Sequence, residues 1–253
     1  MKNKLSKITS LHYVKLVYRS LLFIAGVVLY AIIRTSGDSL DFNRFIPTNF
    51  GAETILLIVV WLVYMVEMVL RLFPSKHESM GCQKQFGRNY RPTGKSEVKL
   101  VSWKRTFLTA SAWLALNGAI GALYYLNIID TGILLLVSLA YGICDMVCIL
   151  FFCPFHAWFF KSRCCSDCRI YNWDFAMMFT PFVFVLNSWF TIPLFALSMI
   201  ILLRWEITLK VHPERFSRNT NKCLDCSQCP EKLCRHKKHL KNYLKKNKEL
   251  LKK

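Results

Sequence analysis

Three cysteines, Cys223, Cys226 and Cys229, stand at three-residue intervals, and Cys234 follows them in the stretch CLDCSQCPEKLC. Two overlapping C-x-x-C units bring thiols close enough to share one metal. The turning backbone between them can offer N–H groups to the sulfurs. A second C-x-x-C, Cys165 and Cys168, lies upstream with Cys164 beside it, and 54 residues separate it from the first run. Two such pairs make a four-cysteine zinc site, and the same donors suit an iron–sulfur cluster. The plainer reading is of reduced thiols in loops. Cys153, followed by Pro154, is a further ligand candidate, and His156 or His236 could complete a shell.

Cys144 and Cys148 are four apart and share one helix face, with Asp145 between them. The segment is apolar enough to lie in lipid, where a carboxylate is costly and should face a bundle interior or water. Glu67 occupies the corresponding place in an earlier apolar run, at similar depth. Both carboxylates are candidates for a proton or metal-ion site. Against that stands a structural reading, a hydrogen-bonded carboxylate near a helix end. Intramembrane cysteines are in turn most often small core hydrophobes.

These side chains need helices in a bilayer to position them. The chain has 253 residues, 54% of them hydrophobic, with a net charge of +19. Such apolar bulk beside such basicity is normal when apolar segments sit in lipid and charge sits in loops. No compact soluble module is left to bind nucleic acid. A crossing takes about 20 apolar residues, which predicts spans at about 14–33, 54–73, 106–126 and 131–152. The last block, Phe175 to Leu203, is too long for one ordinary span. It reads as a hairpin of short helices at about 175–187 and 189–206, turning near Asn187, Ser188 and Trp189, with a first limb short for a full crossing. One long tilted helix is the alternative. The expected fold is thus all-α and polytopic, about six transmembrane helices over residues 1–209. A Cys- and Lys-rich tail follows over 210–253.

Orientation follows from the loop charges. With six spans, 32 of the 34 Lys and Arg residues fall on one side, which should be the cytoplasm. This predicts an inner-membrane protein with both termini inside and all eleven cysteines at or near the cytoplasmic face. A single final span would put the basic tail outside, so charge favours the hairpin. The hairpin also leaves that face after Cys168 and returns to it before Cys223, so the two cysteine groups are expected to meet. Leu240, Tyr243, Leu244 and Leu251 can line one side of a basic helix lying on the anionic inner leaflet. The N-terminal run is too long for a cleaved signal peptide and lacks its cleavage pattern.

The stretch CPFHAWFFKSRCCSDCRIYNW from Cys153 to Trp173, with the Cys-rich tail, resembles an uncharacterised family of bacterial multi-pass membrane proteins with no assigned activity. The first three tail cysteines resemble the C-x2-C-x2-C part of bacterial-type ferredoxin motifs. There a cluster takes its fourth thiolate from elsewhere, often a Cys-Pro such as Cys153-Pro154. Four residues rather than three precede Cys234, which departs from that pattern. Cys153-Pro154 at a helix end is also similar to the C-x3-C-P of membrane-bound ferredoxin-type quinol dehydrogenases, although four residues separate Cys148 from Cys153. Two function classes follow. One is a redox component whose cysteine cluster passes electrons to a quinone or a redox protein. The other is a non-enzymatic transporter, sensor or assembly factor with structural zinc. No span carries the paired histidines of a haem site, and no nucleotide-binding loop, catalytic triad or metalloprotease helix occurs.

Overall fold

Apolar runs free of interior proline fold as helices because lipid offers their backbone no other hydrogen-bond partner. The computed structural model describes residues 7–37, 40, 42, 51–74, 80–155, 160 and 168–225. It is helical, and no strand occurs among the described residues. Five helices are long and apolar enough to cross a membrane. They are α1 (Lys7–Thr35), α2 (Ala52–Leu72), α4 (Trp103–Tyr125), α5 (Thr131–Leu150) and α7 (Thr191–Val211), with the short α3 (Met80–Gln85) between α2 and α4. The first helix starts well before residue 14. Nothing from Lys7 onward breaks it, and Lys15 and Arg19 within it have an acidic partner inside the bundle.

The last apolar block does turn back on itself, but its first limb, expected as a short span over 175–187, is broken and is not among the five helices long and apolar enough to cross. A 3₁₀ turn over Arg169–Trp173 leads into α6 (Asp174–Phe179), which gives way to 3₁₀ helix over Thr180–Val185. Pro181 supplies no N–H to continue the α ladder, and the tighter 3₁₀ spiral takes over. From Asp174 to Val185 the limb covers roughly 21 Å along its axis, less than the ~30 Å hydrocarbon core. The chain turns over 186–190. There the Ser188 hydroxyl accepts from the Thr191 amide at 3.2 Å, and the Thr191 hydroxyl donates to the Val185 carbonyl at 2.7 Å. Phe42 reaches in from the connection after α1 and stacks on Phe190 at 5.0 Å, which packs that turn.

The remaining helices pack around this broken limb. α1 runs antiparallel to α5, as successive contacts show: Arg34 with Asp130, Arg19 with the Gly142 carbonyl, and Tyr13 with Phe151. Glycines permit the close approach. A Cβ on Gly132 would lie 2.6 Å from the Tyr30 ring, and one on Gly142 would lie 2.7 Å from the Tyr64 hydroxyl. α4 and α5 are joined by a short turn in which Asn127 takes a left-handed φ of 56°, a conformation asparagine tolerates. Asp130 caps α5 by accepting from the Ile133 amide at 3.0 Å.

One end of the bundle carries a layer knitted from loops. Asn221, fully buried, donates to the carbonyls of Lys84 and Arg215 at 2.9 and 2.8 Å. The Lys222 amide donates to the Arg91 carbonyl at 2.8 Å, and Pro92 bridges Asn221. Asn172 donates to Gln85 at 2.8 Å. Leu114, Phe107, Leu21 and Ile207 are among the apolar side chains left more than half exposed on the outer helix faces. Lipid contact accounts for them.

Candidate functional site

Both candidate carboxylates end on one guanidinium. Arg19, 2% exposed, reaches between three helices. Its Nη2 lies 2.6 Å from Glu67 Oε2 of α2, and its Nη1 lies 3.3 Å from Asp145 Oδ2 of α5 and donates to the Gly142 carbonyl at 2.9 Å. Glu67 also receives Lys15 Nζ at 3.1 Å and the Tyr18 hydroxyl. The guanidinium sits over the Tyr64 ring, 5.5 Å from its centroid. Nearby, Arg71 of α2 pairs with Asp174 of α6 at 3.0 Å and lies over Tyr171. Three cations thus face three carboxylates in the buried part of the bundle. That balance lets ionised groups persist there, because each desolvated charge keeps an opposite charge within bonding distance.

The sequence reading found Glu67 and Asp145 and missed their cations. It counted Lys15, Arg19 and Arg71 only as loop charges and did not single out Asp174. A signal was present. His12, Lys15 and Arg19 recur at three- and four-residue spacing on an otherwise apolar helix, which places them on one face.

Beside this network lies a cavity of about 210 Å³. Cys144 and Cys148 of α5, Cys153 just past its end and Cys168 before the 3₁₀ turn all line it, as do Asp145 and Asp174. The Cys148 and Cys153 thiols lie close enough to interact electrostatically. The helix explains the clustering. One turn of α5 separates Cys144 from Cys148, and the chain leaves the helical path after Leu150, which brings Cys153 back toward Cys148. Cys144 is exposed at the rim, whereas Cys168 is 7% exposed. Met177 and Met178 add thioethers, and Trp113, Tyr141 and Phe155 add aromatic walls. Soft cations and thiol redox chemistry both suit such a lining. Among the described residues, no three of Cys, His, Asp and Glu are grouped tightly enough to hold a metal ion.

The other predicted ligands divide. Cys223 lies in a 3₁₀ turn over Lys222–Leu224, with its thiol 3.1 Å from the Asn89 carbonyl and its amide bonded to Asn221. Cys164, Cys165, Cys226, Cys229, Cys234, His156, His236 and the Lys-rich tail lie outside the described residues. Of the two C-x-x-C groups, the described members are therefore Cys168, in the cavity wall, and Cys223, against the loop after α3. Comparison with protein-family models, curated proteins and solved structures finds no match.

Proposed function

We propose that this chain is a multi-pass protein of the inner membrane, with both termini in the cytoplasm, built to carry a thiol-held redox centre at its basic face. The observation behind this reading is the shared cavity: four thiols from three parts of the sequence line one space beside a charge-balanced network. Orientation rests on the 32 basic residues that six crossings would place on one side. In that arrangement the sixth pass runs through the broken limb Asp174–Val185, whose roughly 21 Å falls short of the ~30 Å core, so the connections at its two ends would have to complete it.

Cys148, Cys153 and Cys168 are the membrane-side candidates for its ligands, and because they are not gathered tightly enough to hold a metal by themselves, the centre needs them to close up around it. Cys164 and Cys165 precede Cys168 by four and three residues, so either can contribute the fourth thiolate. A four-thiolate shell accepts an iron–sulfur cluster or zinc. The run of Cys223, Cys226, Cys229 and Cys234 offers a second donor group in the sequence, of which Cys223 is the described member. The redox function takes the iron–sulfur alternative, with electrons passing to a membrane or protein partner. Zinc in the same shell gives the structural alternative for a transporter, sensor or assembly factor.

Protein purified without oxygen discriminates these readings. The redox reading expects bound iron with broad visible absorption that bleaches on reduction. Zinc without colour supports the structural alternative. Protein with neither metal contradicts a metal centre.

A further inference from the structure

A second cavity, about 280 Å³, opens between α4, α6 and α7. Trp113, Leu114, Met177, Val183, Phe195 and Met199 are among its lining residues. Leu114 and Val183, at its rim, are 63% and 42% exposed. Trp113 and Met177 also line the cysteine cavity, so the two spaces meet at these side chains. Either volume alone is below the ~300–1,000 Å³ usual for small-molecule sites, and a ligand that displaces the Trp113 or Met177 side chain between them would occupy both.

The two spaces differ in depth and in chemistry. Trp113 is ten residues into α4, about 15 Å along its axis and so near mid-bilayer. Asp145 and Cys148 are within five residues of the end of α5, about 8 Å or less from the basic face. The groove is apolar where the bilayer is apolar, and the cavity becomes polar toward the membrane surface. An amphiphile entering sideways from lipid fits this gradient, with its tail in the groove and its head among the cysteines.

The head is constrained by what faces it. Among the described residues, no Lys or Arg lines the cysteine cavity, so none of them offers a phosphate a cation there. Asp145 and Asp174 are held by Arg19 and Arg71, and they disfavour an anionic head. Trp113 and Tyr141, with ring centroids 4.6 Å apart, and Phe155, 6.2 Å from Trp113, favour a flat ring. Tyr141 and the cysteines bring hydroxyl and thiol donors that suit carbonyl acceptors. From these features we infer that the two adjoining cavities bind a membrane quinone, its ring beside Cys148 and Cys153 and its isoprenoid tail over Met177 and Val183. This rests on the thiol-centre reading for its purpose and on the shape and lining of the cavities for its location.

The test uses the full chain in detergent and an azido-substituted benzoquinone carrying a decyl tail. Illumination is expected to label peptides containing Trp113 or Met177. An unmodified decyl benzoquinone should suppress the labelling, and decanol should not. Val183→Trp, at the exposed rim, should weaken labelling about tenfold, the equivalent of about 1.4 kcal/mol. Labelling should persist in the C148S/C153S variant, which lacks the thiol pair and keeps the aromatic walls. Labelling confined to other peptides, or equal suppression by decanol, overturns the inference; the latter would mark the groove as an acyl-chain site. A protein that binds the quinone probe but holds no metal would remove the metal centre and leave this site standing. One that holds metal but is not labelled would do the reverse.

Discussion

Arg19→Met removes the guanidinium on which α1, α2 and α5 meet. Three contacts go with it: Glu67 at 2.6 Å, Asp145 at 3.3 Å and the Gly142 carbonyl at 2.9 Å. Taking one partner from a buried ion pair costs about 3–5 kcal/mol, because the other charge stays desolvated. Glu67 keeps Lys15 at 3.1 Å, so the main orphan is Asp145 and the low end applies. A loss of about 3 kcal/mol lowers the folding equilibrium constant more than a hundredfold. The assay is unfolding by sodium dodecyl sulfate in mixed micelles, followed by circular dichroism. The double variant R19M/D145N removes both charges and leaves Lys15 with Glu67, so it should recover most of the loss. A loss below about 1 kcal/mol for R19M, or a double variant no more stable than R19M, would refute the reasoning.

Three further outcomes follow from particular contacts. Gly142→Ala would place a methyl 2.7 Å from the Tyr64 hydroxyl and 2.9 Å from Met178 Sδ. It should cost about 1–3 kcal/mol, with part restored by adding Tyr64→Phe, again read by detergent unfolding. Asn221→Ala frees the Lys84 and Arg215 carbonyls and the Cys223 amide. Faster hydrogen exchange is expected over 84–93 and 213–224, with the long helices unchanged, and uniform exchange across both regions would argue against a knitted layer. In cells, an impermeant maleimide should label Ser36→Cys from outside and leave a cysteine placed in the tail unlabelled until the membrane is opened. Labelling of the tail in intact cells would reverse the orientation.

The long helices were legible because length and apolarity alone decide a span. The reversal near Ser188 was legible too, because an apolar block that long needs a break and carries polar residues where the break falls. The early start of α1 was not. Hydropathy finds the apolar run from residue 14 and is blind to helix continued through the more polar residues before it. Cys144, Cys148 and Asp145 were visible as a set from their spacing. The joining of Cys153 and Cys168 to that set was not, since it depends on how the chain leaves α5 and where the broken limb begins. The lateral groove left no sequence signal, because its walls are ordinary apolar residues brought together by packing.

The most direct test of the thiol centre compares two samples purified under argon, the wild type and the C148S/C153S/C168S variant, for iron and zinc per chain. The substitutions leave the lipid-held helices in place, so both should fold with the same helical content. The account predicts that the wild type holds metal and that the variant loses it. A wild type with neither metal, or a variant that keeps its full content, would contradict it.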